Sequence, residues 1–255
     1  MNSEALLQFD QVHFGWPGAG PLLQGINLPL AAGQCHVLLG RSGCGKSSLL
    51  KLAAGLLQPG AGSVRWRGQP VRGPLSDVAL VFQRPTLLDW LSVLDNVLLP
   101  LSLHRRVRAE DRQHALHWLD RLGLHGLAQR APTQLSGGQQ SRVAIARAWM
   151  QRPALLCMDE PFAALDALTR EELQRDLLAV CAEQGTAVLF VTHDLHEAAY
   201  LGDQVSLLHA GRLGPTLVVD EPRPRHAHWR DAEAFHAVCA PVSYTHLTLP
   251  TTSRV

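Results

Sequence analysis

Short apolar segments alternate with longer segments of helical periodicity along most of the chain. Each short segment holds five or six mainly aliphatic residues, the length and character of a buried strand. These segments predict strands at 35–40, 78–82, 154–159, 187–192 and 205–209. Helices are predicted after Gly45, at 109–122, from about Gly138, at about 168–183 and at about 194–201. The alternation is typical of an α/β domain with a parallel sheet.

Two further regions depart from that alternation. The first thirty residues and the stretch "SVRWRGQPV" (63–71) predict hairpins with Gly and Pro turns, hence a small antiparallel layer beside the parallel sheet. Between "FQRP" (82–85) and "LSGG" (135–138) the pattern is mostly helical, which predicts a helical insertion.

Composition narrows the class of protein. The chain has 255 residues, 46% of them hydrophobic and 18% charged, which suits one domain or two small ones. A net charge of +1 offers no electrostatic case for a nucleic-acid partner. The five cysteines lack metal-ligand spacing and fit a reducing compartment. We find no export signal and no apolar run near the roughly 18 residues of a membrane span.

The C-terminal stretch is set apart from the fold. The sequence "VSYTHLTLPT" (242–251) is what a common transposase-adapter DNA encodes when it is translated. We interpret 242–255 as a non-native, adapter-derived tail, which would leave the native end missing beyond about Pro241. The alternative is a genuine exposed tail.

A phosphate-binding loop is the clearest chemical motif. The stretch "GRSGCGKS" (40–47) matches G-x-x-x-x-G-K-[ST] between an apolar strand and a helix. Its glycines allow backbone amides to surround phosphates at a helix N-terminus; Lys46 is expected to neutralise the β- and γ-phosphates, and Ser47 to ligate Mg²⁺. The alternative is a glycine-rich turn. The expected nucleotide contacts are Gly40, Arg41, Ser42, Gly43, Cys44, Gly45, Lys46, Ser47 and Ser48.

The sequence also makes a prediction about the reactivity of Cys44. It lies at a helix start beside Lys46, and both features favour a thiolate. We therefore expect a reactive thiol that ATP protects.

Paired carboxylates end a second apolar strand, "LLCMDE" (155–160). Asp159 is placed to hold Mg²⁺, and Glu160 to orient and polarise an attacking water. Two acids at a strand end can also be a solvated loop start. Together with the phosphate loop, they predict a nucleotide hydrolase.

The order of the motifs adds a family resemblance. "LSGGQ" (135–139) resembles the signature of ATP-binding subunits of ABC transporters, and it lies between the phosphate loop and the paired acids in that family's order. The resemblance covers roughly residues 5–220. It implies a P-loop NTPase fold of the ABC type, with ATP and Mg²⁺ as cofactors. The implied domain spans 1–241, with a helical subdomain at about 86–150.

The resemblance also implies a dimer. In the family, the residues matching Ser136, Gly137, Gly138 and Gln139 face the γ-phosphate held by a second copy, because a helix N-terminus and bare amides bind anions well. The implied partner is a second ATP-binding subunit, arranged head to tail. The alternative is a flexible loop before a helix.

Four more positions take roles from the resemblance. Trp16 matches the aromatic residue that stacks on adenine, or else is a half-buried strand residue. Gln83 matches the glutamine that reaches Mg²⁺ and water, and Asp166 in "AALD" matches a residue facing the partner's site. His193 in "FVTHD" matches the histidine that contacts the γ-phosphate. The implied catalytic residues are Glu160, His193 and Gln83; the implied metal ligands are Ser47, Gln83 and Asp159.

A narrower resemblance concerns transport. "RPTLLDWLSVLDNVLLPL" (84–101) is similar to the region of nitrate, sulfonate, taurine and pyrimidine-precursor importers that contacts the permease, with apolar residues in an otherwise loop-like segment. It implies that the region Gln83–Trp90 contacts a separate transmembrane permease at the cytoplasmic face of the inner membrane, with an extracytoplasmic solute-binding protein acting indirectly. Plain core packing is the alternative. Asp89 and "GGQQSR" (137–142) depart from that group's pattern.

Two other functions stay open. One is the ATPase of an exporter with a separate permease. The other is a soluble ABC ATPase acting on DNA or ribosomes, although the 113 residues from Lys46 to Asp159 (159 − 46) leave little room beyond a helical subdomain.

Overall fold

The computed structural model describes residues 5–221, together with Arg225 and Trp229. The 242–255 stretch and the Pro241 boundary lie outside the described residues. In chain order the elements are β1 (Leu7–Gly15), β2 (Pro21–Leu30), β3 (Cys35–Leu39), α1 (Lys46–Ala53), β4 (Ala61–Trp66), β5 (Gln69–Pro70), β6 (Val78–Val81), α2 (Val93–Ser102), α3 (Ala109–Arg121), a 3-10 turn (Pro132–Gln134), α4 (Gly137–Trp149), β7 (Leu155–Asp159), α5 (Ala167–Gln184), β8 (Ala187–Thr192), α6 (Leu195–Leu201), β9 (Gln204–His209) and β10 (Arg212–Val218).

A six-stranded sheet, in the order β10-β9-β3-β8-β7-β6, forms the centre. All neighbours are parallel except β10, which pairs antiparallel with β9 at the edge. Both faces are buried: Val37 and Leu39 pack into the cluster formed with α2 to α6, while Leu38 packs into the cluster with α1 and β1. Two buried faces explain why these strands are continuous apolar runs. The predicted α/β fold with a parallel sheet is confirmed.

The predicted antiparallel layer is also present. Its four strands pair in the order β2-β1-β4-β5. Side chains alternate along β1, and its inward residues Phe9 and Val12 are 1% and 0% exposed. They pack with Leu49 and Leu52 of α1, so this layer covers the helix that begins at the phosphate loop.

The segment 84–101 lies in the predicted helical insertion but is loop-like in sequence around Leu87, Leu88 and Trp90. It contains a helix that was not predicted individually. Helix α2 begins at Val93, where the Ser92 hydroxyl accepts from the Asp95 amide at 3.0 Å and donates to the Asp95 carboxylate at 2.7 Å. These two hydrogen bonds stabilise the start of the helix. Pro100 is tolerated because it lies near the helix end. The buried Asn96 then accepts from the Leu88 amide at 2.8 Å, which fixes the loop before the helix.

None of the helices in the described part of the chain combines the length and the apolar character that crossing a membrane requires.

Candidate nucleotide-binding site

The candidate site lies where three neighbouring parallel strands end. The phosphate loop follows β3, Asp159 ends β7, and His193 follows β8, which lies between them. Carboxyl ends of parallel strands meet at one sheet edge, which is where α/β folds bind ligands.

A cavity of about 440 Å³ opens at this edge. Its volume falls within the usual range of small-molecule sites. The lining residues are Trp16, Leu22, Ser42, Gly43, Gly45, Lys46, Ser47, Ser48, Gln83, Asp159 and Glu160. Ten of the eleven were predicted from the sequence; Leu22, on β2, was missed because its apolar side chain carries no binding motif.

Two loop glycines are required by packing within the chain itself. A Cβ on Gly40 would lie 2.5 Å from the Leu208 carbonyl oxygen. Gly45 has a φ of 107°, and a Cβ there would lie 2.8 Å from Leu23 Cδ2. These two glycines therefore let the loop pack closely against β9 and β2.

Lys46 is a buried cation, 5% exposed, at the start of α1. Its Nζ donates to the carbonyl oxygens of Gly40 at 2.7 Å and Arg41 at 3.0 Å. It also lies 3.7 Å from Glu160 Oε1. A buried charge needs such partners, so the loop and the strand end together hold the amine beside the cavity.

Glu160 joins the lysine to the histidine. Its second oxygen, Oε2, lies 2.9 Å from His193 Nδ1. The Glu160 backbone has a φ of 45°, uncommon for a residue other than glycine, and its amide donates to the Val191 carbonyl at 3.0 Å. The neighbouring strand thus holds this carboxylate between a cation and an imidazole. His193 itself does not line the 440 Å³ cavity and reaches it through Glu160.

Asp159 and Ser47 suit a hard cation. Burial raises the pKa of Asp159, a hydrogen bond from the Ser47 side chain opposes that rise, and the Glu160 charge adds to it. Ser47, Asp159 and Gln83 all line the cavity with oxygen ligands of the kind that Mg²⁺ prefers. No cluster of three or more His, Cys, Asp or Glu side chains suited to a metal occurs among the described residues. A Mg²⁺ held by one carboxylate, a hydroxyl and nucleotide phosphates fits this arrangement.

Trp16 forms one wall of the cavity. It is 46% exposed, and its ring meets Phe14 edge-on with centroids 5.2 Å apart. The contact with Phe14 supports the indole, while much of the ring stays exposed and available for stacking.

Residues 135–139 and Asp166 lie elsewhere. Ser136 caps α4 by accepting from the Gln139 amide at 3.2 Å, and Gln139 Oε1 accepts from the Ser136 amide at 3.0 Å. Asp166 caps α5, and a hydrogen bond from Thr169 lowers its pKa. Neither motif lines the cavity formed by their own chain. A Cβ on Gly138 would lie 2.9 Å from Leu165 Cδ2, so packing against 163–166 is a second reason why this position is glycine. The sequence did not reveal this contact.

The expectation of a reactive Cys44 thiolate is wrong in direction. Burial raises the pKa of the Cys44 thiol, and the Lys46 charge opposes this only in part. The helix start and the lysine were visible in the sequence, whereas the extent of burial was not.

These features define a class of protein. A loop of the G-x-x-x-x-G-K-[ST] type after one parallel strand, with paired acids at the end of a second strand and a histidine after a third, is the arrangement typical of P-loop nucleotide hydrolases.

The comparisons with known proteins give the family. A family model described as ABC transporter matches residues 23–163. The taurine import ATP-binding protein TauB of Chromobacterium violaceum is 46% identical over 236 residues, 92% of this chain and 89% of that protein. The aliphatic sulfonates import ATP-binding protein SsuB of Pseudomonas entomophila is 47% identical over 208 residues, 82% of this chain and 75% of that protein.

Two solved structures of an ABC cassette have the same fold as this chain. The dimeric structure of MJ0796, a bacterial ABC transporter cassette, superposes with a TM-score of 0.78 at 31% identity and covers 85% of this chain and 100% of that one. A post-hydrolysis state of the same cassette, bound to ADP and Pi, gives a TM-score of 0.77 at 30% identity over 85% of this chain and 100% of that one. The chain belongs to the ABC transporter family and is an ATP-binding ATPase of that family.

Proposed function

We propose that the chain drives import of a small solute of the nitrate, sulfonate, taurine or pyrimidine-precursor class through a separate permease. The observation that carries the proposal is the cavity bounded by Trp16, the 42–48 loop and Glu160, in a chain about 46% identical to a taurine import ATP-binding protein over nearly its whole length. The subunit would then work at the cytoplasmic face of the membrane, held there by the permease.

Each residue of the site has a separate role in the proposed hydrolysis. Loop amides from Gly40 to Ser48 bind the phosphates and Lys46 neutralises their charge, while Trp16 stacks on the adenine. Glu160 orients the attacking water and accepts its proton at one carboxylate oxygen. His193, bonded to the other oxygen at 2.9 Å, fixes the direction in which that carboxylate points.

Ser47, Asp159 and Gln83 would hold Mg²⁺, which when bound supplies positive charge to the phosphates. The hydrogen bond between the Ser47 and Asp159 side chains supports this assignment, because it already brings two of the three ligands together.

A head-to-tail pair of subunits completes each site in this proposal. Ser136, Gly137, Gly138 and Gln139 at the start of α4 would face the phosphates of the second copy, and Asp166 would face its site. The support is that α4 begins with exposed amides and a capping serine whose hydroxyl can still donate one hydrogen bond.

The permease surface is proposed at Gln83–Trp90 and the neighbouring part of α2. Trp90 is 79% exposed, which argues against plain core packing. A cavity of about 260 Å³ lies nearby, lined in part by Leu99, Leu103 and Arg147. Arg147 of α4 donates to the Pro85 and Thr86 carbonyls at 3.0 Å each, so this surface is tied to the helix that begins with the signature. We propose the domain as 1–241, with 86–150 as its helical subdomain.

The test is reconstitution. The chain would be purified together with its permease and placed in proteoliposomes, with the solute-binding protein of the system and labelled taurine, an alkanesulfonate and nitrate. ATP-dependent accumulation of one solute supports the proposal, and the solute identifies the class. ATP-dependent efflux, or ATP hydrolysis with no permease partner, would contradict it. Glu160→Gln is the matched inactive control.

A further inference from the structure

Glu197 is a buried carboxyl group beside the proposed catalytic residues, and it has no role of its own in the proposed hydrolysis. A second cavity, about 90 Å³, is lined by both Glu160 and His193 and, beyond them, by Thr192, Asp194, Glu197 and Arg170. Glu197 is only 8% exposed and Thr192 only 2% exposed. Burying a polar group without a hydrogen bond is unfavourable, so Glu197 and Thr192 both require hydrogen-bond partners at this depth.

The Thr192 hydroxyl is bonded in two directions. It accepts from the Asp194 amide at 3.0 Å and is hydrogen-bonded to the Glu197 carboxylate. Since a carboxylate only accepts, the hydroxyl must donate to Glu197. This pair of bonds closes the turn of residues 192–194, and His193 is the residue in the middle of that turn.

The Glu197 carboxylate is in turn anchored to another helix. Its Oε1 accepts from Gln174 Nε2 at 2.8 Å, and Gln174, on α5, is 1% exposed. Burial raises the pKa of Glu197, and the hydrogen bonds from Thr192 and Gln174 oppose that rise. Two donors from two elements therefore meet one buried carboxyl group.

His193 depends on this support because packing does not hold its ring. Its side chain is 61% exposed, and the bond from Nδ1 to Glu160 is 2.9 Å long. The placement of the imidazole is therefore set by the backbone on either side of it. A displacement of about 1 Å at a reacting group can cost on the order of 100-fold in rate.

We propose that Glu197, with Thr192 and Gln174, is a positioning residue for hydrolysis: it holds the turn that carries His193 so that the imidazole meets Glu160. The inference rests on the proposed role of His193. Helix α5 also carries Arg170, which donates to the Leu165 carbonyl at 3.0 Å, so the same helix connects this turn with the loop before Asp166.

The variants are chosen to remove single hydrogen bonds at constant shape. Thr192→Val deletes the hydroxyl and keeps the branched side chain, whereas Thr192→Ser keeps the hydroxyl. Gln174→Leu removes the second donor from a different element. Thr186→Val is the matched control, because Thr186 is 3% exposed, donates to the Pro153 carbonyl at 2.9 Å and precedes the opposite end of β8.

The readouts are kcat, KM for ATP and Tm of the purified full chain, with rates measured well below the lowest Tm of the set. We expect Thr192→Val and Gln174→Leu to lower kcat by about 10- to 100-fold with KM within about twofold of wild type, since neither residue lines the 440 Å³ cavity. Thr192→Ser should restore kcat. Thr186→Val should lower Tm comparably and leave kcat unchanged.

The outcomes separate this inference from the proposed function. If His193→Ala loses activity while both Thr192→Val and Gln174→Leu keep wild-type kcat, the positioning role is wrong and the role of His193 stands. If His193→Ala keeps wild-type kcat, the role of His193 fails and this inference fails with it. Equal losses of kcat in Thr186→Val and Thr192→Val would show a general effect of stability and would also overturn the inference.

Discussion

Gly137 is a position where folding and function make opposite predictions. A Cβ there would lie 3.9 Å from the Ala164 Cβ, which is an ordinary contact, and the backbone is outside the left-handed region. Alanine is favoured over glycine within a helix by up to about 1 kcal/mol, and Gly137 is the first residue of α4. Gly137→Ala should therefore leave Tm unchanged or raise it by roughly 2–4 °C.

The rate of ATP hydrolysis by Gly137→Ala should fall. In the proposed dimer the amide of residue 137 approaches the γ-phosphate of the second copy, and a methyl group would keep it away. Loss of one such donor costs on the order of 100-fold in rate. The assay is steady-state phosphate release, beside titration with a fluorescent ATP analogue. Nucleotide affinity of the monomer should be unchanged, because Gly137 does not line the cavity of its own chain.

Gly73→Ala is the control, since a Cβ at that glycine would meet no atom within 4 Å and its φ is ordinary. It should keep both Tm and rate. A Gly137→Ala variant that hydrolyses ATP at the wild-type rate would refute the need for bare backbone at this helix start. A fall in its Tm of several degrees would refute the packing argument. Gly138 gives a less clear test, because Leu165 would also have to shift.

Three further predictions concern other sites. Glu160→Gln should bind ATP, lose about 10²- to 10³-fold in kcat and elute as a dimer with ATP in gel filtration; fast turnover would contradict its assigned role. Because burial raises the pKa of Cys44, maleimide should label it more slowly at pH 7 than glutathione, and labelling at least as fast as glutathione would contradict this. Burial lowers the pKa of His36 from 6.5 to about 4, so the unfolded chain binds a proton first and stability should fall as the pH drops from 6.5 toward 4. The loss is on the order of 3 kcal/mol, and urea titrations of His36→Gln should show a flatter pH dependence.

The central sheet and the nucleotide loop were predictable because each rests on local pattern. Strands buried on both faces are continuous apolar runs, and the loop carries its glycines in a fixed order. Helix α2 lies in the predicted helical insertion but was not predicted individually, because Pro100 interrupts its pattern and the cap between Ser92 and Asp95 is a weak signal. Cys44 was predicted in the wrong direction because charge is visible along the chain and burial is not.

Contacts distant in sequence account for the rest of the site. The bond between Gln174 and Glu197 spans 23 residues, and that between Glu160 and His193 spans 33. Each residue taken alone is an ordinary polar side chain on a helix or at a strand end. Only the order of strands β3, β8 and β7 brings Lys46, Glu160 and His193 to the same edge of the sheet.

The same topology suggests why one chain alone would not form a complete site for ATP hydrolysis. Lys46, Glu160 and His193 meet at the ends of parallel strands, whereas the amides at the start of α4 lie outside their cavity. Glycines at 40 and 45 are explained by contacts within the chain, and Gly138 partly so, but Gly137 is not. A glycine with no intrachain reason, at the N-terminus of a helix of 13 residues, is the feature that a second copy's phosphate would explain. Hydrolysis per chain should then rise with protein concentration until the dimer is saturated, and a rate per chain independent of dilution in a monomeric sample would remove that explanation.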